Sequence, residues 1–205
     1  AKSLTELGIP VLLVNPESPD QLSDMISLIA TATNTQDKAD KLLDFIHQEK
    51  EMLTTSLATA DGTPNIYLAG NSSLLSTAGP AMYQSGIIEL AGGKNVASDI
   101  SDTYWAEISY EQLLSWNPDY IILASDAEYT ADDVLSDPNL KDCTAVKNNH
   151  VYAIPGDIEA LDSPVPASIL ASIWLAGILH PDQVSTDTYT KEMNSFYETF
   201  YGIKK

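Results

Sequence analysis

The sequence predicts an α/β fold: an open, mostly parallel sheet flanked by helices and preceded by one long helix. Three observations predict it. Short apolar runs at 65–69 (NIYLA), 120–123 (YIIL) and 150–154 (HVYAI) are bounded by turn residues, the pattern of strands buried on both faces of a parallel sheet. Between them lie stretches whose apolar residues recur at helical spacing. The order strand, loop, helix then repeats along the chain, with no internal sequence repeat and no low-complexity tract. With 205 residues, 44% of them hydrophobic and 19% charged, the chain can bury a substantial core.

The elements follow in order. Residues 4–14 (LTELGIPVLLV) read as a helix end, a turn at Gly8 and Pro10, and an apolar strand that expects neighbours on both faces. Glu17, Ser18 and Asp20 are N-terminal helix signals for Leu22, Met25, Ile26 and Ile29, and residues 31–34 break that pattern. From Thr35 a second amphipathic pattern places Ala39, Leu42, Leu43, Ile46, Leu53 and Leu57 on one stripe. Continued to about Thr59, it is roughly 35 Å long at about 1.5 Å per residue. Asp61 to Pro64 is a turn, and the strand at 65–69 is followed by Gly70-Asn71-Ser72-Ser73. Ligands collect at strand carboxyl ends in open α/β sheets, so the loop 71–77 is a candidate cleft wall, with Asn71 and Ser73 as its polar groups. The same residue types are also common turn formers and helix caps. Gly79-Pro80 opens a helix carrying Tyr83, Ile87 and Ile88 that Gly92 and Gly93 stop. After the strand at 120–123, a second loop at a strand end holds Asp126. A short helix at 131–135, the strand at 150–154 and a loop holding Glu159 and Asp162 come next. An apolar helix over 164–180 and a terminal helix over 186–201 complete the chain.

The stretch 89–123 organises the rest. A long Asp- and Ser-rich loop ends in Tyr104 and Trp105, Ser109 is a helix N-cap, and Trp116-Asn117-Pro118-Asp119 closes that helix before the next strand. The phrases AGGKNVA at 91–97, WAEISYEQLL at 105–114 and NPDYIIL at 117–123, in this order and spacing, resemble the carboxy-terminal lobe of the ABC-transporter substrate-binding proteins for metal chelates. That family carries iron-siderophores, haem, cobalamin and, in some members, molybdate-type oxyanions. The PVPASILASIWLAGILHPD stretch at 164–182 agrees with the same resemblance.

The resemblance implies a class III-like periplasmic binding protein lobe. It divides the chain into a remnant of the amino-terminal lobe (1–34), an inter-lobe connecting helix (35–60) and the carboxy-terminal ligand-binding lobe (61–205). A long helix packed on a single domain would show the same amphipathic pattern. The resemblance also implies a metal-chelate ligand, a membrane permease as partner, and a periplasmic or cell-surface location, with a lipid anchor in the full-length precursor. Trp105 matches a motif tryptophan that lines the cleft in cobalamin-type members, and its indole face suits a planar or ring-shaped ligand; packing alone would also account for a large aromatic there. Tyr104 would point the opposite way if the segment is extended. Tyr83, Asp126 and Asp162 are further candidate ligand contacts by position. Glu111 matches the acidic residue that meets permease arginines, and the helix dipole favours a carboxylate in a first turn in any case.

Composition bounds the rest. A formal net charge of −19 repels phosphate backbones and argues against nucleic acid as a partner. Cys143 is the single cysteine, so no internal disulfide is available. No run of ~18 apolar residues is long enough to span a bilayer, and the chain begins as a processed or cut piece would. His47, His150 and His180 lie on different elements, and no metal-ligand spacing joins them. No nucleophile elbow, phosphate loop or dinucleotide fingerprint is present, so neither an enzyme nor a cofactor is expected. The rival readings are a small α/β hydrolase or transferase with a site at the same strand ends, and a sensor or docking lobe not tied to transport.

Overall fold

The computed structural model describes residues 2–100 and 104–204. A six-stranded sheet is sandwiched between two layers of helices. The strands are β1 (Asn65–Ala69), β2 (Ser76–Ala78), β3 (Lys94–Asn95), β4 (Trp105–Glu107), β5 (Tyr120–Leu123) and β6 (Val151–Ala153). Their order is β4-β2-β1-β5-β6, with β3 beside the start of β1. The pairs β1·β5, β5·β6 and β1·β3 are parallel, whereas β2 runs antiparallel to both β1 and β4. The mostly parallel open sheet is as the sequence predicts. The β2–β4 ribbon is an addition: the loop expected over 71–77 ends inside β2, and Trp105 begins a strand instead of ending a loop.

Alternation along the strands divides the core in two, because successive side chains in a strand point to opposite faces. Ile66, Leu68 and Ile122 face one helical layer, while Tyr67, Ala69, Ile121, Leu123 and Val151 face the other. The first layer contains α2 (Pro19–Thr33), α3 (Gln36–Leu57), α4 (Tyr83–Leu90), α8 (Ile169–Leu179) and α9 (Thr186–Tyr201). The second contains α5 (Tyr110–Trp116), α6 (Ala131–Leu135) and α7 (Thr144–Lys147), with buried Cys143 among them. Helix α8 is apolar all round and buried on nearly every side, since it lies between α4, α3 and α9.

The boundaries follow from local chemistry. Ser18 caps α2 by accepting from the Gln21 N–H at 3.2 Å, and Asn34 ends it in the left-handed conformation at φ 54°. Thr130 and Asp133 form a reciprocal capping box on α6. Gly92 ends α4 at φ 80°, and a Cβ there would come within 2.7 Å of His180 Nε2, so only glycine fits. The apolar helix expected over 164–180 begins later, at Ile169, after a 3-10 turn at Pro166–Ser168. The helix expected from Gly79-Pro80 begins at Tyr83.

The strand expected at 10–14 does not form. A short helix α1 (Lys2–Glu6) and a turn at Gly8 precede it as expected, but residues 9–17 pair with no strand among the described residues. Leu12, Leu13 and Val14 are exposed at 46%, 73% and 44%. An apolar run becomes a strand only when a neighbour supplies ladder hydrogen bonds, and none of the described residues does so here.

Candidate functional site

The carboxyl ends of the three parallel strands β1, β5 and β6 converge, and the loops that leave them build an open depression of about 540 Å³. Asn71 and Ser72 come from the loop after β1, Asp126 from the loop after β5, and Asp162 and Ser163 from the loop after β6. Ser76, Met82, Gln84 and Trp105 close the remaining side. Strand ends gather polar loops here for a simple reason: the parallel sheet aligns all its carboxyl ends at one edge, where the chain must turn.

Backbone bonds hold these loops. Gly70 N–H donates to Ser76 O at 2.8 Å, Glu128 N–H to Asn71 O at 2.8 Å, and Ala124 N–H to Ala69 O at 2.9 Å. Tyr129 adds a side-chain tie, its hydroxyl donating to Gly70 O at 2.6 Å, and burial pushes that phenol's pKa up, so it stays a donor. The Ser125 hydroxyl donates to Asp162 Oδ1, which joins the β5 and β6 loops at the cleft floor, where Asp162 is buried.

Trp105 reaches the cleft because β4 pairs with β2, with Trp105 opposite Ala78. Its ring lies on Gly70: a Cβ at Gly70 would sit 3.0 Å from Trp105 Cζ3. The absent side chain is therefore what lets the indole lie against the end of β1 while 37% of its surface stays exposed. Tyr104, one residue earlier, is exposed at 54% and lines a separate hollow of about 810 Å³ between the start of α2 and α4. Adjacent strand residues point to opposite sides, and Met82 stands between the two spaces. We take the smaller depression as the candidate site, since the strand ends and polar loops meet there.

Of the residues singled out by sequence, Asn71, Trp105, Asp126 and Asp162 meet in this cleft. Three do not. Tyr104 faces the other hollow. Ser73 turns back to its own loop, where its hydroxyl accepts from Leu75 N–H at 3.1 Å, and the neighbouring Ser72 lines the cleft instead. Tyr83 is buried at 4% exposure with its hydroxyl 2.6 Å from Ser168 Oγ, and burial raises its pKa; it ties α4 to α8. Ser72 and Ser76 lie within the loop 71–77 expected as a cleft wall, whereas Gln84, Met82 and Ser163 were missed. For Gln84 the signal was its place in the first turn of α4, which required the helix start to be set at Tyr83 and not at Pro80.

Glu111 lies away from the cleft, exposed in the first turn of α5. The Ser109 hydroxyl and its own backbone amide hydrogen-bond its carboxylate and lower its pKa, so the charge is secure. Among the described residues no three His, Cys, Asp or Glu side chains converge as a metal site, and no helix is long and apolar enough to cross a membrane.

A family model described as periplasmic binding protein matches residues 1–158. The molybdate-binding protein MolA of Haemophilus influenzae is 26% identical over 223 aligned positions, which cover 98% of this chain and 63% of MolA. A vitamin B12-binding protein of Salmonella choleraesuis is 30% identical over 124 positions, 60% of this chain and 46% of that protein. A periplasmic solute binding protein from Veillonella parvula superposes with a TM-score of 0.86 at 25% identity, over 100% of this chain and 63% of its own. This chain thus spans about half to two thirds of the length of the curated relatives it matches.

Proposed function

Because this chain belongs to the periplasmic binding protein family, we propose that it is the solute-binding part of an ABC importer, taking a metal chelate in the cleft and presenting it to a membrane permease. The relatives named for molybdate and vitamin B12 support a small metal-containing solute as the cargo class. The observation that carries the reading is the Trp105 indole seated on Gly70 at the mouth of the cleft, facing the polar groups of three strand ends. An aromatic wall opposite a few placed hydrogen-bonding groups is how a protein holds a ring-shaped or planar ligand without reacting with it.

In this reading Asn71, Asp126 and Asp162 contact the ligand beside Trp105. Ser73, Tyr83 and Tyr104 support the site: the first shapes the β1 loop, the second anchors α4, and the third borders the adjoining hollow. Residues 1–34 are a remnant of an amino-terminal lobe whose α2 packs on the carboxy-terminal lobe, 35–60 connect the lobes and 61–205 form the carboxy-terminal lobe, with the protein working in the periplasm or at the cell surface on a lipid anchor. Glu111 docks on permease arginines, its exposed position on α5 and secured charge being what such a contact requires. The expected result for Glu111→Ala is unchanged ligand affinity with reduced uptake in a reconstituted importer; unchanged uptake would remove Glu111 from the docking surface.

Tryptophan fluorescence tests the site. Trp116 packs against the core with its ring 6.2 Å from Tyr67, and Trp174 packs on the other core cluster, so Trp105 is the indole placed to report the cleft. Titration with cyanocobalamin, haemin, ferric siderophores and molybdate is expected to give saturable quenching with one class, lost in Trp105→Phe. Equal quenching in the variant would take Trp105 out of the site, and no response to any of them would send the function to a small α/β enzyme or a docking lobe.

A further inference from the structure

The chemical class of the solute can be narrowed further, on the premise that the cleft binds a solute as proposed above. The described residues that line it are neutral or acidic, with the Asp126 carboxylate at the exposed rim and Asp162 buried at 4% exposure. No lysine is among them, and the chain has no arginine at all, its ten basic residues being lysines. Lys50 lines the neighbouring hollow, where its Nζ is 3.0 Å from Asp20 Oδ1.

Gln84 supplies an independent observation. It lines the cleft from the first turn of α4, is exposed at only 7%, and its Oε1 is buried without a hydrogen-bond partner. Its neighbours are satisfied: Tyr83 bonds Ser168, and the Ser85 hydroxyl donates to Gly79 O at 3.0 Å. Buried side-chain acceptors in folded proteins nearly always have a donor, and an orphan at a cleft wall marks where an absent partner completes it. An oxyanion offers acceptors only, so the Gln84 amide could meet it only by turning its NH2 outward, and it would bring like charge against two carboxylates.

We propose that the cleft takes a neutral or cationic ligand carrying N–H or O–H donors, with Gln84 Oε1, Asp126 and Asp162 as its acceptors, and that it discriminates against oxyanions. The long-range field of a chain with net charge −19 acts in the same direction.

Calorimetric titration of the full chain with ferrioxamine B as a cation, cyanocobalamin as a neutral chelate, and molybdate and ferric enterobactin as anions tests this. The expected result is binding of at least one of the first two, with both anions weaker by about tenfold or more. Gln84→Leu should weaken the favoured probe about five- to tenfold, Gln84→Glu should strengthen a cationic one, and exposed Asp126→Lys should narrow or invert the charge preference. Anions binding as tightly as the others, or an Asp126→Lys variant with an unchanged ratio, would overturn the ligand class while leaving solute binding in place. Failure of every probe would overturn both.

Discussion

Glu49 sits on α3 with 8% of its surface exposed, facing Glu192 and Lys191 on α9. Burial first, and the Glu192 charge second, push its pKa up to about 7 from an ordinary value of 4.5, against a smaller opposing pull from Lys191. Lys191 is committed to Glu192, Nζ to Oε1 2.9 Å, which leaves Glu49 without a direct cationic partner among the described residues. The folded state therefore holds the proton more tightly than the unfolded state. That contribution is complete below about pH 4.5 and is lost as pH rises through about 7, where a buried charge must be carried. Glu49→Gln should raise the melting temperature at about pH 8 and have little effect at about pH 4.5. An identical change at both pH values would show that Glu49 does not titrate in this way. The apolar stripe that the sequence marks on this helix does not include Glu49, and only the packing of α9 across the helix buries it.

The helix α5 shows how far local chemistry sets an element. Its N-cap Ser109 accepts from Gln112 N–H at 3.2 Å, and its C-cap Asn117 takes φ 44°. The Asn117 side chain also locks to Thr144 by two bonds of 2.8 Å, which fastens α5 to α7. These ends were readable, because Ser at an N-cap and Asn before Pro have direct backbone reasons. Ser109→Ala should cost about 1 kcal/mol in denaturant unfolding and speed amide exchange at Gln112. A cost near zero with unchanged exchange would mean that the cap bond contributes nothing. The β2–β4 ribbon is the opposite case. Ser76–Ala78 and Trp105–Glu107 are three residues each and carry no two-residue turn between them, so their pairing rests on a contact between segments far apart in sequence. The side chain that reaches the cleft from it, Trp105, was found by its motif and not by its strand.

At the scale of the molecule, the net charge of −19 is spread over a chain with four lysine–carboxylate ion pairs among its described residues, each with at least one exposed partner. Such pairs contribute little, and the larger effect is mutual repulsion across the surface. Raising sodium chloride from about 10 mM to about 150 mM shortens the screening length from about 30 Å to about 8 Å and should raise the melting temperature at neutral pH. A flat or falling response would mean that the acidic residues are not in net repulsion in the folded chain.

The sequence by itself determined the layered α/β fold, the three parallel strands, the ends of α2 and α5 and the family. These rest on interactions within a few residues or on the two-residue and 3.6-residue periodicities that burial imposes. It also marked four residues that meet in the cleft, Asn71, Trp105, Asp126 and Asp162, because parallel strand ends face one edge whatever their order. The tertiary structure alone decided the rest. Tyr83 turned inward to Ser168, Ser73 closed its own turn, and Gln84 was left at the cleft wall with an unpaired oxygen. The run 9–14 stayed unpaired because no strand among the described residues lies alongside it. Each of these outcomes depends on what another segment places alongside, and a one-dimensional pattern holds no information about which groups remain unsatisfied once the chain has packed.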